Sequence, residues 1–233
     1  MSQSEFIDEV EKLGIKVTQP QLIKLEKYYQ LLIEYNSFMN LTGITKHDEV
    51  YLKHFYDSLT ISKIIDLNNE KTLCDLGSGA GFPGIVLKIF YPNLNITLVD
   101  SLNKRVDFLN KVIEKLDLEN IKAIHERIEE FSIKNEEQYD VITARAVAHI
   151  NILLEMSIRL SKVGKYFIAM KGNIDTEPNF DNALLKLNCR LDNIVKFYLP
   201  KEESNRCLIK IIKQKSTPKL FPRKYSEIKK KPL

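Results

Sequence analysis

Cysteine and histidine are scarce in this 233-residue sequence, and neither is arranged as a set of metal ligands. The three cysteines, Cys74, Cys189 and Cys207, are odd in number and far apart. We therefore interpret them as small buried thiols in a reducing compartment. The four histidines form no H-E-x-x-H or similar pattern. The sequence thus predicts no metal site and a cytoplasmic location.

Long apolar runs are also missing. No segment approaches the roughly 18 apolar residues that a membrane-spanning helix needs. The amino terminus has acids within its first ten residues and no apolar core of the kind found in a secretory signal. Hydrophobic residues make up 44% and charged residues 28% of the chain, which is typical of a soluble globular protein. We expect a folded monomer without a membrane partner.

Positive charge is concentrated at the carboxyl end. Residues 214–233 contain seven basic residues and one acid, for a net charge of +6, whereas the whole chain carries +4. The preceding residues therefore sum to −2. A basic tail on a nearly neutral body fits a polyanionic partner such as RNA, DNA or a membrane surface. A solvated, partly disordered terminus explains the same composition equally well.

The first 69 residues have helical periodicity throughout. Two capping-box patterns each precede apolar residues at helical spacing, and a loop is expected at 36–43 before a third helix. The boxes pair Ser2 with Glu5 and Thr18 with Gln21. Residues 1–69 are therefore predicted to form an N-terminal helical cap.

From residue 70 the pattern changes to short apolar strands that alternate with helices. Such alternation implies right-handed crossovers and a mainly parallel, doubly wound sheet. The last two strands are separated only by a polar turn at 201–205, so they should pair as an antiparallel hairpin. Strands are predicted at 72–76, 95–100, 121–125, 140–144, 164–170, 191–199 and 205–213, and helices at 84–91, 102–116, 147–161 and 179–187.

This arrangement predicts an α/β fold with a Rossmann-like, seven-stranded, mainly parallel sheet and a terminal antiparallel hairpin. It fits the class I methyltransferases, which depend on S-adenosylmethionine (SAM), better than an all-parallel six-stranded dehydrogenase sheet. Residues 70–213 would form this domain, and residues 214–233 the basic tail.

Half of the eight glycines lie in one loop, between residues 77 and 84. Three of them satisfy G-x-G-x-x-G, which is a weak dinucleotide signal on its own. Asp75, however, precedes Gly77 and Gly79 in the pattern D-x-G-x-G-x-G, which is typical of SAM loops. Asp100 ends the second strand and would accept ribose hydroxyls in either cofactor. We expect Gly77, Gly79 and Asp100 to contact a cofactor; an ordinary tight turn is the alternative.

Further candidates follow the other strands at the same edge of the sheet. Ile128 and Glu129 follow the third strand, where they would hold the face and the exocyclic amine of an adenine, or simply begin a helix. Arg145 follows the fourth strand and Lys171 the fifth. A guanidinium fork there can hold a carboxylate, a phosphate or a guanine edge, or form a surface salt bridge of little consequence.

Several stretches together resemble the RsmG (GidB) family of bacterial 16S rRNA methyltransferases. The likeness extends over about residues 36 to 213, with matching order and spacing. The stretches are Asn-Leu-Thr at 40–42, Lys-His-Phe-Tyr-Asp-Ser-Leu at 53–59, Asp-Leu-Gly-Ser-Gly-Ala-Gly-Phe-Pro-Gly at 75–84, Asp-Ser-Leu-Asn-Lys-Arg at 100–105, Arg-Ile-Glu-Glu-Phe at 127–131, Arg-Ala at 145–146 and Lys-Gly at 171–172. In the tail, Tyr-Ser-Glu-Ile replaces the middle of the family's pattern.

The resemblance implies SAM-dependent methylation of guanine N7 in the 530 loop of 16S rRNA, with the naked rRNA or the small ribosomal subunit as partner. By position, it implies that SAM contacts Gly77, Phe82, Ile128, Glu129 and Arg145. Lys104, Arg105 and the tail would bind the RNA backbone. His54 and Asp57, one helical turn apart, either face the same pocket or pack within the cap.

Three rival functions remain open at this point. An NAD-dependent oxidoreductase would explain the glycine spacing, but Asp75 and the absence of a separate substrate domain count against it. A non-catalytic binding module would explain the basic tail and leave the cofactor loop without a purpose. A methyltransferase with a different substrate shares all the loop observations, and only the family resemblance and the tail argue against it.

Overall fold

Seven strands form the central sheet of the protein, which we describe from a computed structural model that covers residues 1–202 and 204–233. They are β1 (Thr72–Leu76), β2 (Asn95–Asp100), β3 (Ile121–His125), β4 (Tyr139–Arg145), β5 (Ser161–Lys171), β6 (Cys189–Tyr198) and β7 (Asn205–Lys213). Their order is β3-β2-β1-β4-β5-β7-β6. Strands β1 to β5 are parallel, and β7 is antiparallel to its two neighbours. The predicted fold class and its terminal hairpin are confirmed.

Ten α-helices are present in the described part of the chain. They are α1 (Gln3–Lys12), α2 (Gln19–Met39), α3 (His47–Val50), α4 (Asp57–Leu59), α5 (Gly84–Phe90), α6 (Asn103–Lys115), α7 (Ile128–Lys134), α8 (Ile150–Ser157), α9 (Asp181–Lys186) and α10 (Tyr225–Lys230). A π-helical segment, Tyr51–Tyr56, joins α3 to α4, and short 3₁₀ turns occupy Thr60–Lys63, Leu67–Asn69, Ile158–Leu160 and Ile174–Thr176.

The two faces of the sheet bury two separate hydrophobic clusters. Leu73 of β1 belongs to the cluster with α1, α2, α5 and α6, whereas its neighbours Cys74 and Leu76 belong to the cluster with α7, α8, α9 and α10. Adjacent strand residues point to opposite faces, so one short apolar strand serves both layers. The result is a three-layer arrangement in which the carboxyl ends of β1 to β5 share one edge.

The N-terminal helices begin where the sequence predicts and extend further in one place. Both expected capping boxes are present, at Ser2 and Thr18. Helix α2 continues to Met39, so the loop expected from residue 36 begins only at Asn40. The added turn lies beside α6, where the Tyr35 and Phe108 ring centroids are 5.4 Å apart and Lys104 donates to the Met39 carbonyl oxygen at 3.3 Å. The division of the chain at residues 69 and 213 stays a prediction.

The structure differs from the sequence-based expectations in several further elements. Helix α8 and its 3₁₀ extension end at Leu160, and β5 begins at Ser161, three residues before the predicted position. Helix α7 was not predicted as an element, and the tail forms α10. The predicted polar turn at 201–205 includes Glu203, which lies outside the described residues.

None of the helices in the described ranges is long and apolar enough to cross a membrane.

Candidate active site

The glycine loop connects β1 to α5 and is attached to β2 by its backbone. The N–H groups of Gly77 and Ser78 donate to the carbonyl oxygen of Val99, at 2.8 and 3.2 Å. Gly79 has φ +59°, a conformation that disfavours side chains, and a Cβ there would meet no atom closer than 3.9 Å. The outer face of Gly79 is therefore open to a ligand, while the loop itself is held in place.

A buried carboxylate lies under this loop. Asp75 Oδ2 accepts a hydrogen bond from the N–H of Gly84, at 3.0 Å. A Cβ on Gly84 would come within 2.2 Å of Leu98 and 2.8 Å of this same oxygen, so glycine is needed for the close approach. Asp75 Oδ1 and the hydroxyl of Thr143, its neighbour on β4, are buried without a hydrogen-bond partner among the described residues. Two polar atoms thus remain unsatisfied beneath the loop.

Burial raises the pKa of Asp75 from 3.8 to about 7. Between these values the folded protein retains a proton that the unfolded chain has released. The stabilisation that protonated Asp75 contributes to the free energy of unfolding is therefore complete below pH 3.8. It is lost as the pH rises through about 7.

The Asp75→Asn variant cannot titrate at this position. The stability of the wild type relative to this variant should therefore fall between pH 4 and pH 8. Urea unfolding of both proteins at several pH values measures the difference. A difference that stays constant across this range would show that Asp75 does not bind a proton on folding.

Asp100 is buried and holds the loop to the end of β2. Its Oδ2 accepts from the N–H of Gly79, and its Oδ1 accepts from the N–H of Leu102, both at 2.9 Å. Arg105 adds an ion pair to Oδ2 at 3.4 Å. A carboxylate has about four acceptor positions, so a ribose hydroxyl can be added to these three donors. The ribose contact of Asp100 stays a prediction. The hydrogen bond from Gly79 to Asp100 is a structural role that the sequence did not indicate.

Ile128 and Glu129 form the first turn of α7, directly beyond the carboxyl end of β3. Ile128 is partly buried against the second hydrophobic cluster. The Glu129 side chain is 12% exposed and lies 3.9 Å from Arg127. Because β3 and β2 are adjacent, both residues are placed at the same sheet edge as Asp100. Their contact with an adenine remains a prediction.

Phe82 belongs to the interior between the glycine loop and the N-terminal helices. Its ring stacks on His54 with centroids 4.4 Å apart and packs against Tyr28 at 5.4 Å. The Tyr28 hydroxyl in turn donates to the carbonyl oxygen of Ala80 in the loop. Helix α2 therefore supports the loop through Tyr28, a contact that no local sequence pattern indicates. A cofactor contact by Phe82 stays a prediction.

Arg145 connects the end of β4 to the helical segment that carries His54. Its Nη1 donates to the Lys53 carbonyl oxygen at 3.0 Å and to Asp57 Oδ2 at 3.1 Å. Its Nη2 lies 3.2 Å from His54 Nδ1, and the guanidinium carbon lies 5.2 Å from the centre of the Phe82 ring. Arg145 is thus a central contact between the cap helices and the sheet.

His54 is neutral in this arrangement. Burial, together with the positive charge of Arg145, lowers the pKa of His54 to about 3. Since a guanidinium can only donate, His54 Nδ1 accepts from Arg145 and Nε2 donates to Thr42 Oγ1, 2.9 Å away. The Asn-Leu-Thr stretch and the Lys-His-Phe-Tyr-Asp stretch of the sequence are therefore joined by one hydrogen-bond chain to Arg145.

Asp57 is held between two arginines. Besides Arg145, it receives the Nε–H of Arg206 on Oδ1 at 3.1 Å, and its side chain is only 6% exposed. Arg206 is the second residue of β7, far from the other site residues in sequence, and no spacing rule identified it. Asp57 thereby attaches the hairpin to the helical cap, as does the ion pair between Lys53 and Glu202 at 3.0 Å.

A cavity of about 320 Å³ opens at the carboxyl ends of β4 and β5, beside Arg145 and Arg206. Ile44, Met170, Phe197 and Leu208 supply apolar wall, and His54, Asp57 and Thr60 supply polar groups.

Lys171 also borders this cavity, but its ammonium group pairs with Glu177 at 2.9 Å and donates to the Ala148 carbonyl oxygen. The predicted second cation is thus paired with Glu177, and Arg206, itself paired with Asp57, adds a guanidinium group to the cavity wall.

The residues at this edge fit SAM. Gly79 presents an open backbone, and Asp100 retains acceptor capacity. Across residues 1–202 and 204–233, no group of three or more His, Cys, Asp or Glu side chains is placed to hold a metal ion.

Comparisons with known proteins agree with this geometry. The family model described as rRNA small subunit methyltransferase G matches residues 21–206. The ribosomal RNA small subunit methyltransferase G of Lysinibacillus sphaericus is 46% identical over the full length of both chains. That of Bacillus subtilis is 44% identical and covers 100% of this chain and 99% of its own.

Among solved structures, a SAM-dependent methyltransferase from Aquifex aeolicus superimposes with a TM-score of 0.53 at 17% identity, over 74% of this chain and 97% of its own. At that identity the likeness supports the fold alone.

Proposed function

Because the chain belongs to the rRNA small subunit methyltransferase G family, we propose that it transfers the methyl group of SAM to N7 of a guanine in 16S rRNA. The family resemblance inferred from the sequence motifs is confirmed by the matches over the full chain. The observation that carries the chemical assignment is the position of Arg145, which separates the glycine loop from a cavity at the adjacent strand ends.

The two sides of Arg145 have different characters. On one side lie the open backbone of Gly79 and the carboxylate of Asp100, which suit the amino acid and ribose parts of SAM. Gly77, Phe82, Ile128 and Glu129 complete the proposed cofactor set at this edge. On the other side lies the cavity, whose apolar walls and few polar groups are typical of a small-molecule site. We assign the cavity to the target base.

The chemistry requires positioning more than proton transfer. When bound, SAM supplies an electrophilic methyl group on a sulfonium. Guanine N7 carries a lone pair in the ring plane, so no general base is needed. His54 is neutral, and Arg145 and Arg206, both paired with Asp57, present guanidinium groups at the cavity wall. Holding N7 in line with the methyl group is then the main contribution of the protein.

Arg145 and Arg206 are well suited to the guanine edge that carries O6, because guanidinium groups donate to that oxygen in nucleic-acid complexes. A cation close to N7 would oppose the positive charge that develops on the ring. We therefore assign Arg145 to positioning of base and cofactor. The rRNA must present the guanine outside a helix, since N7 in an A-form groove is poorly accessible.

Arg206→Ala tests the assignment of the cavity. This variant should lower kcat/KM for rRNA about 10-fold or more, because a positioning donor at the cavity wall is lost, and should leave the SAM affinity unchanged. Arg190→Ala is the matched control, since Arg190 is an exposed strand arginine paired with Asp192 at the surface. Equal activity of the two variants, or a loss of SAM affinity in the first alone, would show that the cavity does not hold the base.

Transfer of label from radioactive SAM tests the substrate class. We expect label in 16S rRNA or in small subunits from cells that lack the enzyme, and none in transfer RNA or in protein. Parallel assays with naked rRNA and with subunits decide which form is the substrate. Label in a small molecule or a protein would support the rival methyltransferase function, and failure to bind SAM in calorimetry would remove the cofactor assignment. A cytoplasmic monomer, as expected from the sequence, stays a prediction.

The basic residues Lys104 and Arg105 were expected to bind RNA, but both make contacts within the protein. The Lys104 ammonium donates to the Met39 carbonyl oxygen at 3.3 Å, and Arg105 pairs with Asp100. Their contact with the RNA backbone stays a proposal, which a weaker dependence of the KM on salt in Lys104→Gln would support.

A further inference from the structure

The basic tail is anchored to helix α8 by a buried ion pair. Arg223 binds both carboxylate oxygens of Glu155, with Nε to Oε1 at 2.6 Å and Nη2 to Oε2 at 2.5 Å. The Glu155 side chain is completely buried. Ile228 of α10 is buried in the same region, and Arg159 donates to the Phe221 carbonyl oxygen at 3.0 Å. The tail is therefore packed against the domain as an ordered part of the fold.

The path of the tail leads toward the candidate active site. Glu155 lies in the second turn of α8, whereas Asn151, which donates to the Leu233 carbonyl oxygen at 3.2 Å, lies in the first turn. That first turn follows the end of β4, where Arg145 is located. Residues 224–232 thus connect the Glu155 contact to the first turn of α8, and residues 229–231 are the basic residues closest in sequence to Leu233.

The cations of the tail separate into two groups. Arg223 serves the anchor. The six lysines are exposed and form no ion pair within residues 1–202 and 204–233. These lysines define what we call the tail surface. They are Lys215, Lys219, Lys224, Lys229, Lys230 and Lys231.

The placement of these lysines makes the tail surface suited to one kind of partner. Tyr225 is partly exposed at 38% and lies within the same segment, and an aromatic ring among cations is common in nucleic-acid interfaces. The rest of the chain carries a net charge of −2, so general positive charge does not explain the concentration of lysines here. Unpaired lysines on a fixed scaffold are complementary to the phosphates of a polynucleotide.

We propose that the tail surface binds the phosphate backbone of the rRNA substrate outside the base cavity and supplies salt-dependent affinity. This inference rests on the proposed function, because it takes the substrate to be RNA. Phosphate contacts position a nucleic acid without reading its sequence. The tail surface would therefore hold the RNA next to the site while the cavity selects the base.

The test replaces three lysines together, as Lys229→Gln, Lys230→Gln and Lys231→Gln. Each lost phosphate contact weakens the salt dependence of binding by about 0.7 to 0.9 in slope. The triple variant should raise the Kd and KM for rRNA about 10-fold or more at low salt and reduce the slope of log Kd against log salt by about 2. The kcat at saturating rRNA, the SAM affinity and the Tm should not change, since these side chains make no ion pair in the described structure.

A triple variant of three other exposed lysines, Lys16→Gln, Lys27→Gln and Lys115→Gln, is the matched control for net charge. Equal effects of the two triple variants on the slope would overturn the proposal, because net charge alone would then explain the affinity. Filter binding of 16S rRNA measures the Kd without any methyl transfer. An inactive wild type would therefore contradict the proposed function, while the Kd values of the variants would still decide the role of the tail surface.

Anionic membranes are the other polyanion to consider. Sedimentation with phosphatidylserine vesicles, compared with phosphatidylcholine vesicles, measures this binding. If the tail variant lost vesicle binding and kept the wild-type Kd for rRNA, the surface would be a membrane site and the proposal would be overturned. We expect the tail variant to have a raised Kd for rRNA and vesicle binding equal to that of the wild type.

Discussion

Replacing Arg145 with alanine is expected to lower the rate of methyl transfer to rRNA by about 100-fold or more. The guanidinium makes contacts to the Lys53 carbonyl oxygen, to Asp57 and to His54, and it lies over the Phe82 ring. Its removal therefore loosens the glycine loop, the cap helices and the cavity wall together. Single-turnover transfer assays measure the rate of methyl transfer, and calorimetry measures the SAM affinity.

Arg145→Lys is the control for charge. A lysine keeps the positive charge but lacks the planar fork that contacts several acceptors at once, so this variant should recover only part of the lost rate. Circular dichroism and thermal unfolding establish that each variant is folded. An Arg145→Ala enzyme with full rate and normal SAM affinity would contradict the assignment of Arg145. Full recovery with lysine would show that charge alone is sufficient.

The second large effect is expected at the carboxyl-terminal end of the chain. Arg223→Ala should lower the free energy of unfolding by about 3 to 5 kcal/mol, because Glu155 would remain buried with an unpaired charge. The loss should exceed that of any single lysine of the tail surface, since those side chains are solvated. Urea unfolding curves at neutral pH measure the difference.

Replacing both partners separates the ion pair from the packing. The double variant Glu155→Leu and Arg223→Met removes both charges and keeps apolar volume, so it should recover most of the stability lost in Arg223→Ala. A double variant as unstable as the single one would show that packing or backbone contacts, and not the unpaired carboxylate, cause the loss. An Arg223→Ala protein with wild-type stability would contradict the anchoring role of the pair.

Much of the sheet could be predicted from local sequence, because its strands are short apolar runs bounded by turn residues. The bounds of β1, β2, β3 and β7 agree with the prediction. The glycine loop was recognisable for the same reason, since its glycines and Asp75 form a contiguous pattern. Such local features need no knowledge of tertiary contacts.

The remaining features depend on contacts between distant segments. Arg206 reaches Asp57 across 149 residues of chain, and nothing in the residues around Arg206 indicates that partner. The Lys171 cation was expected to face the site, but Glu177, on a later turn, neutralises it. Helix α10 is too short for periodicity to identify, and it forms where Ile228 is buried beside α8. In each case the tertiary partner determines the role of the residue.

Chemical mapping of the methylated base tests the proposed activity most directly. Small-subunit rRNA from cells lacking the enzyme is incubated with the protein and SAM. It is then treated with reagents that cleave the RNA backbone at N7-methylguanine. We predict one enzyme-dependent cleavage, at a guanine of the 530 loop, that is absent without SAM. Incorporation of label without N7-specific cleavage, or cleavage spread over many guanines, would contradict the account of a cavity that places one guanine N7 for transfer.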